Sequence, residues 1–334
     1  MATVRDIAQK ANVSIATVSR VLNNKTNVNE STRLMVLHAA QDLGYSVEES
    51  AKKKMVSPFI PVLIRQNVVQ FSQTRNIGNY FEQTVWAGVE TVLTQKQALT
   101  KLQTSDMTVE SAEHFAREPG VCGLIILGGV APNDFLVRLK ELNIHFVIVG
   151  SHAHPLRLNS VMANVMDGTR EVVRYLIGKG RTKIGFINGP STTKTSEAKM
   201  DGLCLELGIN NLPFEPMAVI QSDFSPEAGY QSTQELLKRK LALNAIVYAD
   251  DMIAVGGMRA LIEAGLRIPM DIAISGFGNY DISRYTSPTL TTVDYDMHTM
   301  GKIAATRLYQ LIQDDDAYPW EIQVPTSLVI RESA

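Results

Sequence analysis

Hydrophobic positions recur at helical spacing through the first 45 residues and then change character. Ile7, Ala8 and Ala11 form one stripe, which predicts a short first helix. Thr3 is placed to cap it, and Asp6 three residues on puts an acid in its first turn, a variant of the capping box. Asn12-Val13 predicts a tight turn, with Ser14 as cap of a second helix whose Val18, Val21 and Leu22 point inward. That leaves Ile15, Ala16, Thr17, Ser19, Arg20 and Asn23 facing outward. A third helix is expected to be capped near Asn29, to bury Leu34, Leu37, Ala40 and Leu43, and to close at Gly44.

From Pro58 the pattern becomes continuous apolar runs alternating with amphipathic stretches. Strands are predicted at Phe59–Ile64, Val121–Leu127, Phe146–Val149, Lys183–Ile187, Ala245–Tyr248 and Ile272–Ile274. Helices are predicted near Phe81–Leu93, Pro132–Leu142, Gly168–Ile177, Pro226–Lys238 and Met252–Ala264. Uniformly apolar strands between helices imply parallel sheets covered on both faces. The expected fold is therefore a small all-α helix-turn-helix domain followed by an α/β domain of two Rossmann-like subdomains. A ligand cleft between the subdomains, at the carboxyl ends of strands, is the default site. Two short polar-faced helices joined by a tight turn suit a helix lying in a DNA major groove while packing on its own domain.

Composition refines this picture. Residues 1–55 carry eight Lys and Arg against five Asp and Glu, and the remainder carries 24 against 29, so a net charge of −2 hides a basic head on an acidic body. That asymmetry concentrates phosphate attraction where the helix pattern lies, although it is too small to imply DNA binding alone. With 334 residues and 45% apolar content, the chain has material for a sizeable core and more than one domain. No apolar run approaches a membrane span, and the helical pattern at the N-terminus leaves no leader peptide to expect. Cys122 and Cys204 read as buried free thiols, consistent with a reducing cytoplasm. His152 and His154 lack a third ligand at metal-binding spacing, and no glycine-rich phosphate loop or nucleophile elbow stands out. Neither an enzyme nor a cofactor is expected.

One stretch has a family signature. Thr3-x-x-Asp6-Ile7-Ala8-x-x-Ala11-x-Val13-Ser14-x-x-Thr17-Val18-Ser19-Arg20-Val21-Leu22-Asn23, then Leu43-Gly44-Tyr45, resembles the lactose-repressor/galactose-repressor group of bacterial transcription regulators. The likeness continues through Tyr175-Leu176-Ile177-x-Lys179-Gly180, Ile184-Gly185-Phe186-Ile187-x-Gly189-Pro190 and Asp251-Met252-Ile253-Ala254-Val255-Gly256, and through Ile274-Ser275-Gly276-Phe277, Pro288-x-Leu290-Thr291-Thr292-Val293 and Leu328-Val329-Ile330-Arg331.

The resemblance implies a DNA-binding domain over 1–45, a hinge over 46–57, and an α/β periplasmic-binding-protein-like effector-binding and dimerisation domain over 58–334, with the chain crossing between subdomains near 161, 290 and 321. It implies that Ile15 and Ala16 face base edges, that Arg20 reaches a base or nearby phosphate, and that Thr3, Ser14, Thr17, Ser19 and Asn23 contact the backbone. Ile15 and Ala16 can pack on a thymine methyl and Arg20 can fork onto guanine, so direct readout would be sparse. The effector set carried over is Phe81, Lys199, Phe224, Asp250 and Gly278. Phe224 would offer an aromatic face to a sugar; Asp250 stands where Asn is frequent, and Lys199 where Arg is usual, so a surface lysine is the competing reading.

Two departures follow. Gly278 replaces an aspartate that binds sugar hydroxyls, and removing a carboxylate while keeping a cation favours a sugar acid or sugar phosphate as effector over a neutral sugar. In the hinge, Val47 replaces a proline and Lys54 a leucine that wedges into the minor groove; Met55 can supply the wedge if the register shifts. The implied function is an effector-responsive repressor of carbohydrate genes, cytoplasmic, acting as a homodimer on a near-palindromic double-stranded operator, with no membrane partner. The competing reading is a cytoplasmic sugar sensor or a transport-type solute-binding protein.

Overall fold

The computed structural model describes residues 4–22, 28–43, 58–65, 80–128, 131–151, 156–313 and 318–334. The chain divides into two compact units, Met1–Pro58 and Phe59–Ala334.

In the first unit, α1 (Val4–Lys10), α2 (Ile15–Leu22) and α3 (Glu30–Asp42) enclose a core of Ile7, Ala8, Ala11, Val18, Val21, Val36, Ala39 and Ala40. The turn between α1 and α2 places Asn12 at φ +51°, a conformation its short polar side chain tolerates. Asn29 Oδ1 caps α3 by accepting from the Thr32 amide at 2.8 Å. The buried face of α3 agrees with the expected one at Ala40 and Leu43 but not elsewhere: Leu34 and Leu37 are exposed, and Val36 and Ala39 face inward. α3 is apolar on several sides, so periodicity alone does not choose a face; small side chains at 39 and 40 let three short helices approach closely. Gly44 lies outside the described residues.

In the second unit the first sheet contains β1 (Phe59–Arg65), β2 (Leu99–Ser105), β3 (Leu124–Leu127), β4 (Phe146–Val149) and β5 (Ser160–Ala163), joined at its edge by the late strand β11 (Glu321–Val324). Its order is β11-β5-β4-β3-β1-β2, parallel throughout. Helices α4 (Tyr80–Gln95), α5 (Val109–Arg117) and α6 (Asn133–Glu141) connect its strands. The second sheet, of order β7-β6-β8-β9, is also parallel, with β6 at Ile184–Asn188, β7 at Val219–Gln221, β8 at Ala245–Tyr248 and β9 at Ala273–Ser275. Helices α7 (Val165–Gly178), α8 (Lys194–Ile209), α9 (Pro226–Lys238) and α10 (Asp251–Glu263) belong to this half.

The chain passes from the first sheet to α7 after Ala163, and returns after β10 (Thr292–Asp294) as α11 (Met297–Gln313), which packs on α4, and as β11. It then crosses again to β12 (Ser327–Val329), antiparallel to β10. Buried Arg307 of α11 donates to Asn159 Oδ1 at 2.8 Å and to the Tyr318 carbonyl and stacks over Trp320, tying the late segment to the first sheet. In both sheets the strand order reverses beside the first strand, β1 or β6, which opens a crevice at the carboxyl ends there.

Two expectations need correction. The strand placed at Val121–Leu127 is regular only from Leu124, Val121 making a single bridge to Phe59. Cys204 is exposed on α8 rather than buried, and Cys122 is half-buried. His152 and His154 lie outside the described residues. Among the described residues no helix is long and apolar enough to cross a membrane.

Candidate DNA-reading helix and effector cleft

Helix α2 is set by its first residue outside the helix. Ser14 Oγ accepts from the Thr17 amide at 3.1 Å and lies 2.8 Å from the Thr17 hydroxyl. The Val13 amide donates to the Ala8 carbonyl at 3.0 Å, closing the turn against α1. Lys10 pairs with Asp42 at 3.1 Å, so the end of α1 is also held to the end of α3, a surface pair of modest energy. Val18 and Val21 anchor the inner face, while Ile15, half exposed, and Ser19, exposed, lie on the outer one. Ser14 is exposed and Thr17 half-buried. Only the helical backbone is described for Ala16 and Arg20, and Thr3, Asn23, Lys54 and Met55 lie outside the described residues.

In the effector unit, three of the five expected residues converge at the carboxyl ends of β8 and β9. Asp250 follows β8 in extended conformation and caps α10, Oδ1 accepting from the Met252 amide at 2.7 Å. Its Oδ2 accepts from the Tyr280 hydroxyl at 2.8 Å. The next residue, Asp251, is fully buried; it accepts from the Tyr280 amide at 2.7 Å and the Thr292 hydroxyl at 2.6 Å. Lys199 is not a surface lysine. It is buried on α8, donates to the Ala249 carbonyl at 2.6 Å and lies 4.0 Å from the Phe277 ring centre.

Gly278 follows, at φ +126°, with its amide donating to the Val293 carbonyl at 2.7 Å. A Cβ there would sit 2.5 Å from Cε1 of Tyr280, so the tyrosine ring occupies the space that a side chain at 278 would take. Arg331 holds this loop, donating to Asn279 Oδ1 at 2.5 Å, the Ser283 hydroxyl at 3.0 Å and the Leu290 carbonyl at 2.6 Å.

The remaining two expected residues are aromatic, each with its ring against a glycine at another strand end. Phe224 follows β7, partly exposed, with its ring against Gly189 at the end of β6: a Cβ on Gly189 would be 2.4 Å from its Cζ. Phe81 belongs to α4, in the first-sheet half, with its ring against Gly150 at the end of β4. Its neighbour Tyr80 spans the two halves, with its ring centre 4.6 Å from that of Tyr280. Tyr80, Asp251 and Tyr280 were not among the residues expected from the sequence. The available signal was the pairing of a missing side chain at 278 with a bulky one at 280, an exchange of volume between neighbours.

Burial dominates the electrostatics of this cluster. It pushes the Lys199 ammonium down to about 8, against the pull of Asp250 and Asp251. It pushes the Asp251 carboxyl up to about 7, with the Thr292 bond opposing. Asp250 is also raised by burial, with the Tyr280 hydroxyl and Lys199 opposing, and the Tyr280 phenol lies well above its ordinary range, so it is the donor in their bond.

Asp251 binds its proton more tightly folded than unfolded, so its contribution is fully present below about 4 and lost as pH rises through about 7. Lys199, lowered, contributes fully above about 10.5 and loses that contribution as pH falls through about 8. Urea unfolding of the wild type and Asp251→Asn at matched pH should therefore show the wild-type advantage shrinking by several kcal/mol between about pH 4 and 7. A difference independent of pH contradicts the assignment.

Residues 3–47 match the model for bacterial regulatory proteins of the lacI family, and residues 173–334 match the periplasmic binding protein-like domain. The chain is 29% identical over 338 residues to the HTH-type transcriptional repressor PurR of Escherichia coli O139:H28, covering all of this chain and 97% of that protein. It is 26% identical over 333 residues to the probable HTH-type transcriptional repressor ExuR of Bacillus subtilis strain 168, covering all of this chain and 98% of that one. The Lac repressor dimer bound to operator and the anti-inducer ONPF superposes with a TM-score of 0.72 at 26% identity, over 99% of this chain and 98% of that one. With a helix-turn-helix head and a two-sheet ligand-binding body both in place, the chain belongs to the LacI family of bacterial regulatory proteins, DNA-binding transcriptional repressors rather than enzymes.

Proposed function

We propose that this protein is an effector-responsive repressor of carbohydrate genes, acting in the cytoplasm as a homodimer on a near-palindromic operator. The observation that carries the DNA-reading part is α2 itself, capped by Ser14, anchored by Val18 and Val21, and offering Ile15 and Ser19 outward. One such helix reads a half-site, so two copies related by a twofold axis read the whole; the related Lac repressor binds its operator as a dimer. Ile15 and Ala16 pack on thymine methyls, Arg20 donates to guanine, and Thr3, Ser14, Thr17, Ser19 and Asn23 hold the phosphate backbone. Lys54 supplies phosphate attraction from the hinge and Met55 its apolar wedge.

The effector is a polyhydroxylated small molecule bound at the carboxyl ends of the strands, with Asp250 accepting a hydroxyl and Phe224 and Phe81 offering ring faces. Lys199 and the missing side chain at Gly278 favour a sugar acid or sugar phosphate over a neutral sugar. Asp250 weighs the other way, and its bond to Tyr280 reduces the number of its lone pairs facing a ligand. Binding shifts the dimer between DNA-competent and incompetent states in proportion to its preference for one of them. Calorimetry on the full chain with glucose, gluconate and glucose 6-phosphate tests the effector class. Binding by an anionic member supports it; tight binding of the neutral sugar with none of the anionic ones overturns it.

A further inference from the structure

Tyr280 is a side chain of the cluster that touches both halves of the effector unit. Its amide is held by Asp251 at 2.7 Å, its hydroxyl donates to Asp250 at 2.8 Å, and its ring meets that of Tyr80 at 4.6 Å between centres. Tyr80 opens α4, which packs on α11 and belongs to the first-sheet half; Tyr280 belongs to the loop after β9 in the second. The loop cannot drift freely, because Arg331 pins Asn279, Ser283 and Leu290. The ring also has its space reserved: Gly278 leaves it the volume that any Cβ at that position would enter at 2.5 Å. An aromatic pair that joins two bodies adds stabilisation beyond its buried area.

We propose that Tyr280 is an aromatic latch between the two subdomains and the residue through which an effector acts on their closure. The proposal rests on the reading of Asp250 as an effector-binding group. The Asp250 oxygen that accepts the tyrosine hydroxyl is the one that a ligand hydroxyl would use, so the ligand competes with Tyr280 for it. With the hydroxyl on Asp250, the ring is held against Tyr80 and the halves stay together. A ligand hydroxyl that takes that oxygen frees the phenol, so the ring is no longer held against Tyr80 by its hydroxyl. Tyr280 in this role sets specificity, since a ligand must offer a donor good enough to replace a phenol.

The test needs no effector, so its failure leaves the effector-site reading standing and its success does not presuppose a ligand. Cys122 and Cys204 are replaced by serine in the full chain, and spin labels are placed at exposed Lys140 of α6 and exposed Gln231 of α9. Labelled chain is diluted with unlabelled chain, and the distance distribution is read by pulsed electron resonance. The parent is expected to give one narrow distribution. Tyr280→Phe, which keeps the ring and removes the bond to Asp250, is expected to raise the population at other distances about fivefold, the equivalent of one lost hydrogen bond. Tyr80→Ala is expected to do the same, and Tyr80→Phe to leave the distribution unchanged. A residue that only fills space would shift the melting temperature without moving these distances. Distributions identical to the parent in both Tyr280→Phe and Tyr80→Ala overturn the proposal.

Discussion

Val18→Asp abolishes operator binding while the effector unit keeps its unfolding transition. Val18 is fully buried in the eight-residue core shared by α1, α2 and α3. An aspartate there puts an unpaired carboxylate into apolar surroundings, which costs several kcal/mol, comparable with the whole stability of so small a domain. Sequence-specific binding depends on α2 being held in one orientation, so loss of the core removes it entirely. The effector unit is a separate compact body from Phe59 onward, with its own cores, and does not share this one. Fluorescence anisotropy with operator DNA and urea unfolding followed by circular dichroism check the two halves of the prediction. Ile15→Ala is the companion: half exposed, it should weaken binding without unfolding the head. Retained operator affinity in Val18→Asp would mean that the three-helix core is not what presents the reading face.

Gly278→Asp is expected to destabilise the effector unit by about 2–5 kcal/mol rather than improve ligand binding. Two costs combine. The backbone at 278 sits at φ +126°, where an L-residue is strained, and its Cβ would meet the Tyr280 ring at 2.5 Å. Relief requires the ring to leave, which breaks its bond to Asp250 and its contact with Tyr80. The steric part and the backbone part separate in a double-mutant cycle: Tyr280→Ala in the Gly278→Asp background should recover the first and not the second. Urea midpoints of the four proteins give the coupling. No loss of stability in Gly278→Asp would show that the loop rearranges at little cost and that glycine is not required there.

How much of this was legible in the sequence depends on where each element buries its surface. Strands β4 and β8 are short, wholly apolar and central, and the sequence places them at their observed bounds; helix α9 likewise begins at Pro226 after its Ser225 cap. Strand β2 was missed because it is an edge strand whose residues alternate weakly and stay largely exposed. Helix α8 was missed for a different reason. Its inward face carries Lys199 and Glu206, the latter buried against Arg170 and Arg174, so the buried side reads as polar. Helix α11 hides an arginine, Arg307, for the same reason. In α3 the opposite ambiguity arose, apolar residues on several sides, and the expected stripe of Leu34 and Leu37 fell outward.

The cleft was legible only in part. Asp250, Lys199 and Gly278 were reached through the family likeness at their positions, because neither periodicity nor composition distinguishes them. What they do here depends on contacts between distant segments: Lys199 on the Ala249 carbonyl, Asp251 under Tyr280, and Tyr280 against Tyr80. A one-dimensional pattern carries no trace of such pairings.

The most direct test of the account is titration of the full-length protein against a fluorescent genomic-fragment library, at two salt concentrations, with and without neutral sugars, sugar acids and sugar phosphates. Fragments with a near-palindrome are expected to bind more tightly than random DNA, more weakly at higher salt, with the affinity shifted by one metabolite class. If no fragment is preferred over random DNA under any condition, the protein is not a sequence-specific regulator and the account fails.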